Sequence, residues 1–290
     1  MRILITGHAG FVGRHFVKRL YDEHELHLVD KVYGHTAQEF FSQQESIRYD
    51  LIIHLAAMVG GRAKIDGDPL AIAENLAIDS DLFRWVIRTN QPRVVYFSSS
   101  AAYPVEYQTR ANAQILAEED IDLDHPKKPD QTYGWAKLTG EVLAEHAARA
   151  GTRVHIFRPF SGYGEDQDLA YPFPSFIDRA ARKADPFVIW GTGTQTRDFI
   201  HIDDIVEAVL KAVEEDVHGP INLGWGRPTS FLDLAQEVRR QAGYNPRIEV
   251  LVDKPVGCYY RVSDPTKMFN FYTPKVTLEE GIHRSLEARR

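Results

Sequence analysis

Five short runs, residues 2–6, 26–30, 51–55, 94–98 and 154–157, are rich in Val, Ile, Leu and Phe and are apolar on both faces. A strand of that kind cannot face water, so it belongs in a sheet covered by helices on each side. Helical periodicity fills the stretches between, over residues 11–21, 70–89 and 131–150. Strand and helix alternating from the first residue onward predict an α/β fold built on a doubly wound parallel sheet of the Rossmann type. The 20-residue interval from Lys31 to Asp50 holds one helix-like stretch. A further βα unit does not fit there, so one strand of the usual set is expected to be reduced or missing.

The first strand runs into Thr6-Gly7-His8-Ala9-Gly10-Phe11-Val12-Gly13 and then a helix. Gly7 lets the chain turn tightly, Gly10 removes a Cβ where a pyrophosphate would approach, and Gly13 allows close helix–sheet packing. The helix start, at Phe11 and Val12, offers free N–H groups and a partial positive charge to phosphates. GxxGxxG alone is a weak signal; between the first strand and first helix of a βαβ pattern it predicts a dinucleotide site. Asp30 ends the second strand, 17 residues past Gly13. Its carboxylate can accept hydrogen bonds from an adenosine ribose and repel a 2′-phosphate, which favours NAD over NADP. Lys31 follows directly and offsets part of that repulsion, and a turn-capping role is the structural alternative for Asp30.

After Arg158 the pattern changes. Gly, Pro and aromatic residues crowd positions 159–174, as in a loop that shapes a pocket. Helices are expected again at 202–213, 229–242 and 277–286. The predicted organisation is a nucleotide-binding domain over residues 1–158, rejoined in part by 195–225. A smaller, mostly C-terminal α/β lobe is made of 159–194 and 226–290, and the chain is expected to cross between the two more than once.

Tyr133-Gly134-Trp135-Ala136-Lys137 opens a helix, and i,i+4 spacing puts the phenol and the ammonium on one face. A tyrosine is a poor base at its reference pKa of roughly 10, and a neighbouring cation favours the phenolate. The strand at 94–98 leads into Ser99-Ser100-Ala101-Ala102-Tyr103-Pro104. Side chains at the carboxyl ends of parallel strands face the ligand crevice, so Ser99 can share a proton with Tyr133 and a substrate hydroxyl. A serine satisfying a local turn is the alternative, notably for Ser98 and Ser100, and Tyr103 reads as packing or substrate-shaping.

Together these motifs resemble the extended short-chain dehydrogenase/reductase family, in its nucleotide-sugar epimerase and dehydratase branch. The resemblance spans essentially the whole chain. It includes Asp50-Leu51-Ile52-Ile53-His54-Leu55-Ala56-Ala57, Arg158-Pro159-Phe160-Ser161-Gly162-Tyr163-Gly164 and Arg197-Asp198-Phe199-Ile200-His201-Ile202-Asp203-Asp204. It implies Ser99, Tyr133 and Lys137 as the catalytic set. Leu55, Ala56, Ala57, Phe97, Ser98 and Pro159 would line the cofactor, and Ser100, Ser161, Arg197 and Arg261 would contact substrate. The two arginines would meet a diphosphate, which a guanidinium suits well. The implied partner is a nucleoside-diphosphate sugar held by the smaller lobe, and the implied assembly is a homodimer through two helices including 133–149.

Within the branch, the short 31–50 interval and Ala56-Ala57-Met58-Val59-Gly60-Gly61 look most like GDP-fucose synthase and GDP-mannose 3,5-epimerase. Those enzymes use a cysteine two residues after the catalytic serine; here that position is Ala101, which cannot ionise. The dehydratases carry Asp-Glu directly after the catalytic residue, where this chain has Ser100-Ala101. Ser161 also replaces an asparagine common at that point. The chemistry left needs one acid/base and one hydride carrier, so the expected activity is that of an NAD-dependent 4-epimerase passing through a 4-keto sugar. A nucleotide-4-ketosugar reductase consuming NADH or NADPH uses the same residues, and a non-enzymatic NAD(P) sensor is the rival from another class.

Composition narrows the field further. A formal net charge of -7 argues against nucleic-acid binding, which needs a basic face. No apolar run approaches the roughly 20 residues that span a bilayer. Met1 leads straight into a strand, so no signal peptide is expected. Cys258 is the only cysteine, which precludes an internal disulfide and fits the cytoplasm. The 12 histidines form no paired metal-ligand spacing, so no metal is expected.

Overall fold

A computed structural model describes residues 1–44, 47–60 and 62–289 of the chain. From the start run β1 (Arg2–Thr6), α1 (Phe11–Leu20), β2 (Glu25–Val29), α2 (Ala37–Gln43), β3 (Leu51–His54) and α3 (Arg62–Gly67). Then come α4 (Pro69–Arg88), β4 (Arg93–Phe97), β5 (Ile115–Leu116), α5 (Gln131–Arg149), β6 (Arg153–Pro159) and β7 (Ser161–Tyr163). They are followed by α6 (Pro172–Ala181), β8 (Phe187–Trp190), β9 (Thr196–His201), α7 (Ile202–Glu214) and β10 (Ile221–Leu223). The chain closes with β11 (Pro228–Ser230), α8 (Phe231–Gln241), β12 (Ile248–Leu251), β13 (Tyr260–Ser263), α9 (Thr266–Phe269) and α10 (Leu278–Glu287).

The main sheet has six parallel strands in the order β10-β6-β4-β3-β1-β2. The doubly wound parallel sheet expected from the alternating apolar runs is therefore present. One face packs α1 and α7 against Ile3, Ile5, Phe97 and Phe157, and the other packs α2, α4 and α5 against Leu4, Ile52, Val94 and Tyr96. Helices on both sides explain why Ile3, Leu4 and Ile5, neighbours in sequence, are all fully buried.

β2 is an edge strand. The described part of the following interval folds into a short turn at Lys31–Tyr33 and then α2, whose start is fixed by a capping box between Thr36 and Glu39. That accounts for the missing strand. β2 also ends one residue earlier than the sequence predicts, because Asp30 leaves the ladder to accept from the Val32 N–H at 3.0 Å. Residues 45, 46 and Gly61 lie outside the described residues, so the last position of the Ala56-to-Gly61 motif does too.

A second sheet runs β11-β9-β13-β5, with β7 also paired to β9. β5 comes from within residues 1–158, a particular crossing that local patterning gives no hint of. Around this sheet α6, α8 and α10 enclose Phe173, Phe176, Phe187, Phe231 and Ile282. β9 belongs here, whereas α7 and β10 after it rejoin the main sheet. Among the described residues no helix is long and apolar enough to cross a membrane.

Candidate active site

The chain visits β2 on one side of β1 and then crosses to β3 on the other. That reversal opens a crevice beyond the carboxyl ends of the strands, the usual ligand position in such sheets. The glycine loop lies over it. Gly7 has φ +74°, and a Cβ there would come 2.5 Å from the Ala56 backbone nitrogen, so only glycine lets the loop cross the end of β3. Gly13 differs from expectation: a Cβ would strike Gly7 and His8 of the loop, so its role is to fold the loop back on α1. Gly10 is exposed, caps α1 without a side chain and leaves one face of the loop open. The N–H groups of Phe11, Val12 and Gly13 begin the helix and have no intrahelical acceptors, which makes an anion cradle.

Asp30 sits beside the loop, 9% exposed, and accepts from Ala9 N–H and Val32 N–H at 3.0 Å each. The turn-capping alternative is thus realised, and the same carboxylate fastens the glycine loop. Each oxygen keeps acceptor capacity for a ribose hydroxyl. Lys31 extends to the Met58 sulfur at 3.4 Å. Asn75 of α4, fully buried, pins Met58 by accepting from its N–H at 2.7 Å and donating to its carbonyl at 2.9 Å. The free helix start, open loop face and buried acidic group suit a dinucleotide.

β4 delivers Ser98 and Ser99 to the same crevice. Ser99 is half-buried, and its Oγ accepts from Ala101 N–H at 3.1 Å. Ser98 points the other way: its hydroxyl donates to Glu141, and its N–H to the Phe157 carbonyl at 2.8 Å, so its side chain does not line the cleft. Phe97 packs into the core against Phe16 and Phe157. Ser100 is buried in the turn after Ser99. Tyr103 is fully buried and donates to Asn222 at 2.7 Å, so it is a packing residue. Leu55, Ala56, Ala57 and Pro159 are all half-buried at strand ends around the crevice.

The start of α5 is pressed onto this loop. Asp130 N–H donates to the Ala101 carbonyl at 2.9 Å, and a Cβ on Gly134 would collide with that same carbonyl. Gly134→Ala is therefore expected to cost about 1–3 kcal/mol through forced separation of helix and loop, read as a lower midpoint in chemical denaturation.

That contact brings Tyr133 to Ser99. Burial pushes the phenol up to about 12, the negative Asp79 adds to the rise, and the hydrogen bond from Ser99 draws the other way. The Lys137 side chain, one turn on from Tyr133, meets a carboxylate as well. Its ammonium, 3% exposed, lies 3.6 Å from Asp79 Oδ2 and 5.0 Å from the centre of the Tyr96 ring. Asp79 is thus an ion-pair partner of Lys137 that the i,i+4 spacing alone does not reveal. A second phenol, Tyr171 at the start of α6, is also pushed up to about 12 by burial and then by Tyr133, which places the two within electrostatic reach. Sequence reading passed over both Asp79 and Tyr171. The signal for Asp79 was a polar pair, Asn75 and Asp79, inside the buried 72, 75, 79, 82, 86 stripe of α4.

On the far side, Arg197 and Arg261 occupy paired positions on β9 and β13. Arg197 lies over the Phe231 ring and donates to the Thr196 and Val256 carbonyls at 2.8 and 3.2 Å. Arg261 donates to Gln108 Oε1 at 2.6 Å and to Asp130 Oδ2 at 2.8 Å, tying β13 to the residue that caps α5. Ser161 is half-buried on β7 beside β9.

Residues 3–224 match the model of the NAD dependent epimerase/dehydratase family. The chain belongs to this family. The resemblance read from the motifs is thereby borne out, and the protein is an enzyme of this family. Among similar proteins is a dTDP-4-dehydro-6-deoxy-D-allose reductase of Streptomyces bikiniensis, 29% identical, with 92% of this chain and 89% of the relative covered. The GDP-L-fucose synthase of Escherichia coli is 25% identical, covering 97% and 94%. Among solved structures, a UDP-glucose 4-epimerase of Thermotoga maritima with UDP-glucose superposes with a TM-score of 0.83 at 26% identity, over 99% of this chain and 98% of that one.

Proposed function

We propose that this enzyme is a nucleotide-sugar 4-epimerase acting through a transient 4-keto sugar. The observation that carries the reading is Tyr133, in contact with Ser99 at the carboxyl ends of the parallel strands, beside a glycine cradle and with no ionisable group at position 101. Gly7, Gly10, Phe11, Val12, Gly13 and Asp30 would hold NAD, which when bound would accept and return hydride. Tyr133 takes the proton of the sugar 4-hydroxyl and returns it after the sugar has turned over, with Ser99 holding that hydroxyl toward the phenol. Ala101, 6% exposed, cannot abstract a proton beside a ketone, so inversion is confined to the carbon that is oxidised. Arg197 and Arg261, at paired positions on adjacent strands, meet the diphosphate. In this reading residues 1–158 chiefly bind the cofactor, and the second sheet with α6, α8 and α10 holds the nucleotide sugar. The family model and Asp30 support NAD as the cofactor.

A specific observation favours a second reading. A phenol pushed up to about 12 keeps its proton at neutral pH and is ready to donate it to a ketone, which suits a 4-ketosugar reductase. The two differ in cofactor use. An epimerase inverts many equivalents of sugar per bound NAD, whereas a reductase shows sustained loss of the absorbance near ~340 nm from reduced nicotinamide when given a 4-keto nucleotide sugar. The expected result is inversion of a UDP-, GDP-, dTDP-, CDP- or ADP-sugar, followed by NMR, without net change in cofactor. Stoichiometric oxidation of NADH or NADPH would replace the first reading with the second.

A further inference from the structure

Behind Tyr133 and Ser99 lies a buried polar cluster centred on Asp79, a residue that the reaction as written does not use. Asp79 of α4, 1% exposed, sits among Lys137 and Tyr133 of α5, Tyr96 of β4 and His54 of β3, with Glu141 one turn beyond Lys137 also felt by Tyr96. Tyr96 Oη donates to Asp79 Oδ2 at 2.5 Å, and Lys137 Nζ lies 3.6 Å from the same oxygen. Asp79 Oδ1 faces His54 Nε2 at 3.4 Å, and neither atom has a geometrically formed hydrogen bond among the described residues. His54 Nδ1 in turn meets Thr6 Oγ1 at 2.9 Å, and Thr6 Oγ1 accepts from Ala56 N–H at 3.4 Å. Burial lowers the pKa of His54, and a neutral ring allows one proton arrangement to serve all these contacts. In it Thr6 would donate to Nδ1 and Nε2–H would face the carboxylate, to which Tyr96 donates and beside which the Lys137 ammonium lies as an ion-pair partner. α5 reaches the cluster only because position 140 is glycine: a Cβ there would collide with Tyr96 Oη and come 2.9 Å from Asp79 Oδ2.

We propose that Asp79 is a positioning residue: its buried carboxylate seats the Lys137 ammonium behind the Tyr133 phenol and ties it, through His54 and Thr6, to the Gly7–Ala56 crossing at the floor of the dinucleotide crevice. The inference rests on the acid–base reading of Tyr133, with Lys137 as the cation beside it. Placing two charges in one nearly dry pocket makes each dependent on the other, because either alone is an uncompensated buried ion. Asp79 itself shows the balance. Burial alone would raise its pKa, and the ammonium with the His54 and Tyr96 hydrogen bonds holds it below the ordinary carboxylate value.

The test is a double-mutant cycle on the cofactor-free protein with Asp79→Asn, Lys137→Met and both together. Each single variant should lower the thermal midpoint by roughly 6–12 °C, and the double should recover at least about half of that loss. Losses that simply add would overturn the proposal. If a single variant fails to fold, a folded double supports the pairing and an unfolded double overturns it. Infrared spectroscopy gives a readout independent of stability. Lys137→Met should show the carbonyl stretch of a protonated buried carboxyl at neutral pH, absent from wild type and from the double variant. No such band in Lys137→Met would refute the electrostatic coupling. In turnover, Asp79→Asn should lose at least about tenfold in kcat with sugar KM held within about twofold. Equal loss in both would leave Asp79 without a positioning role. Tyr133→Phe tests the underlying reading separately, since it does not touch the Asp79–Lys137 cycle.

Discussion

Replacing Tyr133 with Phe is expected to lower turnover of the nucleotide sugar by roughly 10²–10⁴-fold, the usual weight of a positioned acid or base. The fold should survive, because the ring stays in place and only the hydroxyl that Ser99 contacts is removed. Cofactor affinity, measured by fluorescence titration, should change little. The pH dependence follows from the environment of the phenol, pushed up to about 12 by burial and by the nearby Asp79. Oxidation of the 4-hydroxyl needs the phenolate, so log kcat/KM should climb with slope one as pH rises toward the working pKa. Reduction of the ketone needs the phenol, so that half-reaction should stay flat through neutrality and fall only above the same pKa. Normal turnover in the Tyr133→Phe enzyme, or an oxidation rate that falls as pH rises, would remove Tyr133 from the chemistry.

The second large effect belongs to stability. Glu141→Gln is expected to destabilise the protein by about 3–5 kcal/mol, seen as a clear drop in the denaturation midpoint. Arg158 is 1% exposed, and its guanidinium is held by Glu141 through Nε at 2.9 Å and Nη2 at 2.6 Å. Nη1 reaches the Glu118 carbonyl at 2.9 Å and Tyr103 Oη at 3.1 Å, and Ser98 donates to the same Glu141 carboxylate. One fork thus joins β6, α5, β4 and the stretch just after β5. Glutamine keeps the shape but removes the charge and turns an N–H₂ toward the guanidinium, leaving a buried cation without its counter-ion. Arg158→Met with Glu141→Leu should regain part of the loss, as expected when a buried pair is replaced by apolar volume. A midpoint in Glu141→Gln within about 1 kcal/mol of wild type would mean that the pair contributes little.

Much of the fold was legible because its signals are local. Apolar runs on both faces, glycines at the first turn and the short 31–50 interval each constrain a few neighbouring residues, and the observed strands and helices of the main sheet lie close to the expected ones. The candidate site was legible at Ser99, Tyr133 and Lys137 for the same reason, since strand ends and i,i+4 spacing are short-range geometry. The sequence did not show where Lys137 directs its charge. Asp79 is 58 positions away and meets it only when α4 packs on α5 against β4. Ser98 illustrates the same limit. Its place at a strand end was readable, but Glu141, 43 residues on, turns its hydroxyl away from the crevice.

By itself, then, the amino-acid order determined the sheet, the glycine cradle and the identities of the proposed acid–base residues, because these follow from backbone sterics and burial periodicity. Only the tertiary structure decided the electrostatics: which carboxylate pairs with Lys137, how burial pushes the Tyr133 phenol up, and how Arg261 is tied to Asp130. Charges act through space, and in a low-dielectric interior the nearest partner governs them whatever its distance along the chain.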